Sequence, residues 1–238
     1  MMDELTQDDI KLFDLTLFQP RHGYRYSLDP LLLARFCQPI KPAGGIIDLG
    51  AGCGIISLVL ARINPDSSVV AIENNREMAQ IVEQNIQHNG LGDRVSGHAE
   101  DVINLCNSYP DSTFDLVVSN PPFRKAGSGK ISPKIGRDSA RHETTARLSD
   151  FLASAKYLVK PSGRICFIHL PSRLSEFISL AVSMKMSLLR LRMIHSNPES
   201  SATMFMAELA KGRRTEPVVE RPLFVRGMDG KYTDEVWR

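Results

Sequence analysis

The sequence predicts an α/β protein in which seven core strands form a mostly parallel sheet that ends in an antiparallel hairpin. Two observations support this prediction. From Gly45 onward, short apolar strands alternate with longer helical segments, which is typical of a parallel sheet covered by helices on both faces. The last two predicted strands are separated only by the turn-rich link 196–202, so we expect them to pair antiparallel.

The elements are predicted in a regular order. Residues 12–26 suggest a short hairpin or strand-loop around a Gln-Pro-Arg-His-Gly turn, and Asp29-Pro30 opens a helix that runs to Phe36. The core strands are predicted at residues 46–49, 68–73, 95–98, 114–119, 164–170, 187–195 and 203–210. The helices between them are predicted at residues 54–63, 76–90, 149–159 (capped by Ser149) and 172–184.

The composition is that of a soluble globular protein, with 42% hydrophobic and 24% charged residues. No apolar run approaches the roughly 20 residues that cross a bilayer, and the acidic N-terminus is unlike a secretory signal. The four cysteines form no C-x-x-C pair, which argues against a zinc site and a disulfide framework. We therefore expect a cytoplasmic protein without a metal ion.

A glycine-rich segment, IIDLGAGCG (residues 46–54), lies at the first strand-to-helix junction. Because glycine lacks a Cβ atom, Gly50, Gly52 and Gly54 allow a tight turn and the close approach of a ligand to the backbone. This spacing also occurs in NAD-binding proteins, but the third glycine of the G-x-G-x-x-G fingerprint is missing. Asp48 precedes the first glycine, where it suits the ammonium of a methionine-like group and opposes a pyrophosphate.

Acidic residues also follow the next two predicted strands. Glu73 ends the second strand, where a carboxylate accepts hydrogen bonds from ribose hydroxyls, and Asn74 beside it would flank an adenine. Asp101 follows the third strand and would accept from the adenine amino group; Glu100 is the rival for this role, and a helix cap is the alternative for Asp101. With Asp48, these acids indicate an adenosyl ligand at the carboxyl edge of the sheet, and hence S-adenosylmethionine as the cofactor.

The fourth predicted strand runs directly into Asn120-Pro121-Pro122-Phe123. An amino group on a purine ring is a poor nucleophile because its lone pair is delocalised, so its methylation needs acceptors for both N–H bonds. The Asn120 side-chain oxygen and the Pro121 carbonyl would supply them, and Phe123 would stack on the planar substrate. An Asn-Pro turn without function is the alternative. We predict Asn120, Pro121 and Phe123 as the catalytic residues, with Asn120 also beside the cofactor.

A basic stretch follows this motif. Between Arg124 and Arg147 there are seven Lys or Arg residues and only two acidic residues, although the whole chain has a net charge of only +2. Such a stretch is often a solvated loop. Beside an active site it is also suited to a phosphate backbone, so Lys125, Lys130 and Arg141 are predicted to bind the substrate.

These motifs resemble those of the class I, Rossmann-like amino-methyltransferases over roughly residues 20–210. That group methylates adenine N6, guanine N2 or a glutamine amide. Two further segments narrow the resemblance: Q-x-x-x-GYRYSLD at residues 19–29 and ARHE at residues 140–143. With them, the chain resembles the bacterial tRNA adenine-N6 methyltransferases that act on the anticodon-loop adenine just 3′ of the anticodon in valine tRNA.

The resemblance implies an organisation and further site residues. Residues 1–36 would form a hairpin and helix that cap the cofactor site, residues 37–212 the methyltransferase domain and residues 213–238 a C-terminal tail. Tyr26 and Ser27 would line the methionine end of the cofactor, together with Asp29, and Tyr26 as a core aromatic is the alternative. The resemblance also implies tRNA as the partner, with Arg141 and His142 near the substrate entrance.

Four alternatives remain open at this point. A protein glutamine-N5 methyltransferase needs the same two acceptors, but it usually has a helical domain before the cofactor motif, and only 47 residues precede Asp48 here. An rRNA guanine-N2 methyltransferase is a second alternative within enzymes. A non-catalytic RNA-binding protein that kept the fold is disfavoured by the intact Asn120 motif. An NAD oxidoreductase is disfavoured by Asp48 and by the lack of a hydride site.

Overall fold

The computed structural model describes residues 5–22, 25–123, 146–212 and 215–237. Its first unit is a two-stranded antiparallel hairpin of β1 (Leu5–Ile10) and β2 (Leu15–Pro20). The sequence predicts a hairpin at residues 12–26 around the Gln-Pro-Arg-His-Gly segment, and this position is wrong: the turn lies at residues 11–14, and that segment lies at the end of the second strand. Asp14 makes the earlier turn possible, because it adopts a left-handed conformation (φ 50°) that Asp tolerates better than most residues.

The remaining elements alternate as the sequence predicts. In chain order they are α1 (Asp29–Phe36), β3 (Gly45–Leu49), α2 (Ile55–Ile63), β4 (Ser68–Glu73), α3 (Arg76–His88), β5 (Val95–Ala99), α4 (Leu105–Ser108), β6 (Phe114–Ser119), α5 (Leu148–Leu158), β7 (Val159–His169), α6 (Leu174–Ser183), β8 (Met186–His195), β9 (Ala202–Lys211), β10 (Val218–Val219), β11 (Leu223–Phe224) and α7 (Asp234–Trp237).

The seven predicted core strands form one sheet in the order β5-β4-β3-β6-β7-β9-β8. All neighbouring pairs are parallel except those of β9, which runs antiparallel to both β7 and β8. The predicted terminal hairpin is therefore confirmed. Strand order reverses between β3 and β6, and a crevice forms outside the carboxyl ends of the strands at such a switch point.

Helices cover both faces of this sheet. One apolar core lies under α1, α2 and α3, and the other lies under α4, α5 and α6. The strands β3 and β6 contribute to both cores by alternation, so Ile46 packs on one face and Ile47 on the other. Burial of both faces explains why these strands appear in the sequence as continuous apolar runs.

The N-terminal hairpin is attached to α3 by two buried or half-buried asparagines. The Asn85 side chain accepts from the Phe18 amide (2.7 Å) and donates to the Phe18 carbonyl (2.9 Å). Asn89 forms the same pair of hydrogen bonds with Thr16 (2.9 and 2.7 Å). These side-chain amides extend the β2 edge as another strand would, and they fix the hairpin beside the main sheet.

The prediction is wrong at the start of two elements and missed the strands of the tail. Strand β7 begins at Val159 and not at residue 164. Helix α5 has Arg147 and not Ser149 at its N-cap, because the Asp150 carboxylate accepts from the Arg147 amide (2.7 Å) and so closes the first turn. The tail, for which no element is predicted, adds β10 and β11 to the outer edge of the sheet, where both pair parallel with β8. In the part of the chain that the model describes, no helix is long and apolar enough to cross a membrane.

Candidate active site

The glycine-rich segment forms the turn between β3 and α2. Gly50 and Gly54 have φ values of 75° and 86°, where other residues are strained, and a Cβ atom on Gly54 would lie 3.2 Å from Val82. The amides of Gly50 and Ala51 both donate to the Ile72 carbonyl of β4 (2.9 Å each). The loop is therefore held against the neighbouring strand, and its direction is set before any ligand binds.

Glu73 holds the same loop from the end of β4. One of its carboxylate oxygens accepts from the Gly52 amide (2.9 Å), and the other accepts from the Asn75 amide (3.0 Å). A carboxylate oxygen can accept more than one hydrogen bond, so these two bonds do not exclude hydroxyl donors. The half-buried Glu73 thus lies directly beside the glycine loop, as expected for a residue that binds ribose.

Asp48 is fully buried at the base of this loop. One oxygen accepts from the Ser57 hydroxyl on α2 (2.8 Å), whereas Oδ1 is buried without a hydrogen-bond partner among the described residues. Burial raises the pKa of Asp48 to about 7; the Ser57 hydrogen bonds oppose the shift, and the nearby Glu73 charge adds to it. A cationic group bound nearby would satisfy the orphaned oxygen and stabilise the ionised carboxylate.

Glu100 and Asp101, the two residues after β5, make different hydrogen bonds. Asp101 caps a short 3-10 turn, since its Oδ1 accepts from the Ile103 amide (3.1 Å), and it is half-buried at the sheet edge. Glu100 accepts from the Ser108 hydroxyl of α4. The cap that was the alternative for Asp101 is therefore present, and it uses only one of the two carboxylate oxygens.

The Asn120 motif extends from the end of β6, next to the glycine loop. Leu49 of β3 pairs with Ser119 of β6, and the Ser119 hydroxyl donates to the Leu49 carbonyl (2.7 Å). This buried bond fixes the point at which Asn120 leaves the sheet. The Oδ1 atom of Asn120 is buried and accepts no hydrogen bond from any described residue. It is therefore free for an external N–H donor.

Aromatic rings surround the same point. Phe123 is half-buried and packs on the core that lies under α1, α2 and α3, as Tyr26 and Leu170 also do. Its ring centroid lies 5.4 Å from that of His169, which ends the neighbouring strand β7. Pro121 is buried and Pro122 exposed, so the first proline anchors the segment and the second faces outward.

The residues at this edge of the sheet fit S-adenosylmethionine as a ligand. Asp48, which has an orphaned buried oxygen, lies with Glu73 and the glycine turn at the carboxyl edge of the sheet, next to the point where the strand order reverses. No group of three or more His, Cys, Asp or Glu within the described ranges is placed to hold a metal ion.

Residues 29–173 match the family model called "Methyltransferase small domain". The tRNA1(Val) (adenine(37)-N6)-methyltransferase of Citrobacter koseri is 30% identical over 90% of this chain and 85% of its own length. The chain belongs to this methyltransferase family. The enzyme of the same name from Porphyromonas gingivalis is 29% identical over 96% of this chain and 91% of its own length.

Solved structures show the same fold. A predicted O-methyltransferase from Agrobacterium tumefaciens superposes with a TM-score of 0.72 at 21% identity, covering 87% of this chain and 94% of that one. The M. jannaschii tRNA m1G37 methyltransferase has a TM-score of 0.62 at 16% identity, with 89% of this chain and 58% of that one covered. The predicted class I methyltransferase fold is therefore confirmed.

The N-terminal candidates lie at the start of α1. The Tyr26 amide donates to the side chain of the buried Gln19 (3.1 Å), and Tyr26 packs half-buried on the core. Burial raises the pKa of Tyr26, with smaller contributions from Asp8 and from Cys53 of the glycine loop. The Ser27 hydroxyl donates to Asp29 (2.8 Å). Their roles at the cofactor remain predictions.

The remaining predicted site residues are Asn74, which the structure describes, and residues of the basic stretch, which it does not. Asn74 is exposed after Glu73, and it is Asn75 that caps α3 by accepting from the Met78 amide (3.0 Å). The predicted substrate-binding residues Lys125, Lys130 and Arg141 lie outside the described residues, as does His142.

Two residues of the site were not predicted from the sequence. Ser57 lies in the first turn of α2, and nothing in an apolar helix distinguishes a serine that binds a buried acid. His169 ends β7, but the strand was predicted to run to residue 170, so His169 did not stand out as a strand-end residue in the sequence.

Proposed function

We propose that this protein transfers a methyl group from S-adenosylmethionine to the N6 amino group of an adenine in tRNA. The observation that carries this proposal is the buried Oδ1 atom of Asn120, which has no described hydrogen-bond partner and lies at the strand end next to the glycine loop. Membership of the tRNA1(Val) (adenine(37)-N6)-methyltransferase family supports it, and the names of these relatives favour adenine 37 as the target.

The cofactor would be held along the carboxyl ends of β3, β4 and β5. Glu73 would accept from the ribose hydroxyls, and the free oxygen of Asp101 from the adenine amino group. Asp48 would face the ammonium of the methionine end, with its buried Oδ1 as the acceptor. When bound, S-adenosylmethionine supplies a methyl group activated by a positively charged sulfonium.

Asn120 and Pro121 would prepare the acceptor nitrogen. The two N–H bonds of the adenine amino group would point to the Asn120 side-chain oxygen and to the Pro121 carbonyl. Because both acceptors draw on these N–H bonds, the nitrogen lone pair is localised and directed out of the ring plane. Phe123 would stack against the base and hold it in this orientation.

The residues around the acceptor act mainly by orientation and charge complementarity. None of the described residues is placed as a strong general base. The reaction does not need one, because the amino group becomes acidic only after it has accepted the methyl group. Asn120 and Pro121 are therefore required for transfer but not for retention of the cofactor.

RNA is favoured over protein as the substrate by charge. The stretch from Arg124 to Arg147 directly follows Phe123, and its excess of positive charge is suited to a phosphate backbone. An adenine in an anticodon loop can be splayed out of its stack at lower cost than a base in a duplex. This combination favours a tRNA loop over a protein glutamine.

Methyl transfer from tritium-labelled S-adenosylmethionine into total RNA and into total protein tests the proposal. We expect the label in tRNA, and nuclease digestion should recover it as N6-methyladenosine. The Asn120→Ala variant should give no incorporation, whereas Asn107→Ala, on the exposed face of α4, should retain wild-type incorporation. Label in protein, or in N2-methylguanosine, would contradict the proposed substrate.

A further inference from the structure

His169 is the last residue of β7, which lies beside β6 in the sheet. Its side chain is 1% exposed. The imidazole lies between two aromatic rings: the Phe123 centroid is 5.4 Å away at an interplanar angle of 42°, and the Phe205 centroid is 6.4 Å away at 19°. Phe123 belongs to the acceptor motif, so the ring forms part of the wall against which the target base would stack.

The proton on this imidazole has a defined position. The Leu170 amide donates to Nδ1 (2.8 Å), so Nδ1 is an acceptor and the neutral ring carries its proton on Nε2. Burial lowers the pKa of His169 to about 4; the charge of Arg173 acts in the same direction and Glu176 opposes it. At neutral pH, His169 is therefore a fixed N–H donor.

This donor is buried and unused within the described part of the chain. Nε2 has no hydrogen-bond partner there, and neither does the Oδ1 atom of Asn120 at the end of the adjacent strand. The two atoms do not satisfy each other. The acceptor side of the site thus contains one unpaired donor and one unpaired acceptor, an arrangement that fits a ligand carrying an N–H group next to a lone pair.

Adenine is such a ligand. Its N6 amino group is flanked by N1 and N7, and both of these ring nitrogens are acceptors. Guanine differs, because its N2 amino group lies between the N1–H donor and the N3 acceptor, so it offers a ring acceptor on only one side. A buried N–H that finds no acceptor loses its hydrogen bonds with water and gains nothing in return.

We propose that His169 is a specificity-determining residue whose Nε2–H donates to a ring nitrogen of the target adenine next to the amino group that is methylated. This inference rests on the proposed function, because it assigns one more interaction in the same site. Its contribution is orientation: the hydrogen bond fixes which edge of the base faces Asn120. It does not activate the amino group, since a donor to the ring withdraws electron density from N6.

The test replaces single atoms on both sides of the proposed hydrogen bond. An anticodon stem-loop RNA is prepared with adenosine, 1-deazaadenosine or 7-deazaadenosine at the target position, and kcat/KM is measured for each. His169→Phe keeps the ring packing against Phe123 and Phe205 but removes the donor. His195→Phe is the matched control, because His195 also ends a strand, but its Nδ1 already contacts the Ser200 carbonyl.

We expect wild-type kcat/KM to fall about tenfold or more for one of the two deaza substrates and to change little for the other. His169→Phe should lose a similar factor on adenosine and show no further loss on the sensitive deaza substrate. The His195→Phe control should reproduce the wild-type pattern.

Equal wild-type rates on all three RNAs would overturn the inference, and this comparison does not depend on whether His169→Phe folds. Independent losses that multiply in His169→Phe would also overturn it, since the two changes would then affect different interactions. Failure of the proposed function would look different: the wild-type protein would not methylate the adenosine RNA at all.

Discussion

Glu73 and Asn120 follow strands that flank β3 on opposite sides, yet their polar atoms are in opposite situations. Both carboxylate oxygens of Glu73 accept from backbone amides, and these bonds fix the glycine loop. The Asn120 oxygen, like Nε2 of His169 on the next strand, has no partner among the described residues. The cofactor side is therefore held in shape by internal hydrogen bonds, whereas the acceptor side carries polar atoms that a substrate would satisfy.

This difference predicts that cofactor binding and methyl transfer depend on different residues. Residues that fix the cofactor side should affect S-adenosylmethionine affinity, and residues on the acceptor side should affect turnover. Asp48 is the exception, because it lies on the cofactor side and still has one orphaned buried oxygen. Substitutions on each side can break or sharpen this separation.

The largest expected effect is that of Asn120→Ala on turnover. Loss of a preorganised acceptor at the reacting nitrogen should lower kcat by about 10³-fold, whereas the Kd for S-adenosylmethionine should change less than about threefold. Asn120→Asp keeps one acceptor oxygen and should retain part of the activity. Single-turnover methylation and calorimetric titration of the cofactor measure the two quantities. A parallel loss of cofactor affinity would show that Asn120 acts mainly in binding the cofactor.

Asp48 should give the apoprotein a pH-dependent stability. Its pKa in the folded protein is about 7, well above the value of about 3.9 in an unfolded chain, so the native state binds the proton more tightly. Stability from this group is therefore present below pH 4 and is lost as pH rises through 7. The loss amounts to at most about 4 kcal/mol.

Urea unfolding of the apoprotein at pH 5 and pH 8 measures this effect. Asp48→Asn cannot ionise, so it should lose much less stability between the two pH values than the wild type. Asp93→Asn, on the exposed turn after α3, should keep the wild-type difference. The same pH dependence in Asp48→Asn and in the wild type would show that Asp48 is ionised without cost.

Glu73→Ala should weaken cofactor binding by about 10²-fold, because charge-assisted hydrogen bonds to the ligand and to the Gly52 amide are both removed. Turnover at saturating cofactor should fall much less. Glu83→Ala removes a carboxylate from the exposed face of α3, where it accepts from the Gln87 side chain, and should bind the cofactor normally. Unchanged affinity in Glu73→Ala would refute the assignment.

The smallest effect is expected from the basic stretch. Lys125→Gln combined with Lys130→Gln should reduce RNA affinity and lower the slope of log Kd against log salt by about 0.7 for each phosphate that the variant no longer neutralises. Lys41→Gln with Lys185→Gln is the matched control, because both lysines precede strands and so lie at the opposite edge of the sheet. Equal salt slopes for both pairs would leave the basic stretch without a role in binding.

Much of the fold was predictable because the central strands β3 and β6 are buried on both faces. Strands β4 and β6 begin and end at the residues predicted from the apolar pattern alone. The tail strands β10 and β11 were not predictable, since two residues carry no periodicity. The cap of α5 was missed because its serine suggested an N-cap two residues too late, whereas Asp150 closes the turn from inside the helix.

The candidate site was predictable as far as strand ends carried charged or amide groups. Asp48, Glu73 and Asn120 were found in this way, and the structure brings them to one edge. His169 was missed because a histidine within an apolar run has no single meaning in a sequence. Its donor role follows only from the Leu170 amide, which occupies its other ring nitrogen.

The tail strands also have a consequence for how this protein coexists with copies of itself. The outer strand β8 would otherwise present a row of unpaired backbone amides and carbonyls along a ten-residue edge. β10 and β11 occupy parts of that edge. Pro222 lies between them and has no backbone N–H, so it does not offer another chain a hydrogen-bond donor there. The tail strands therefore protect this edge from pairing with another copy of the protein. This protection matters most at the high protein concentrations of overexpression.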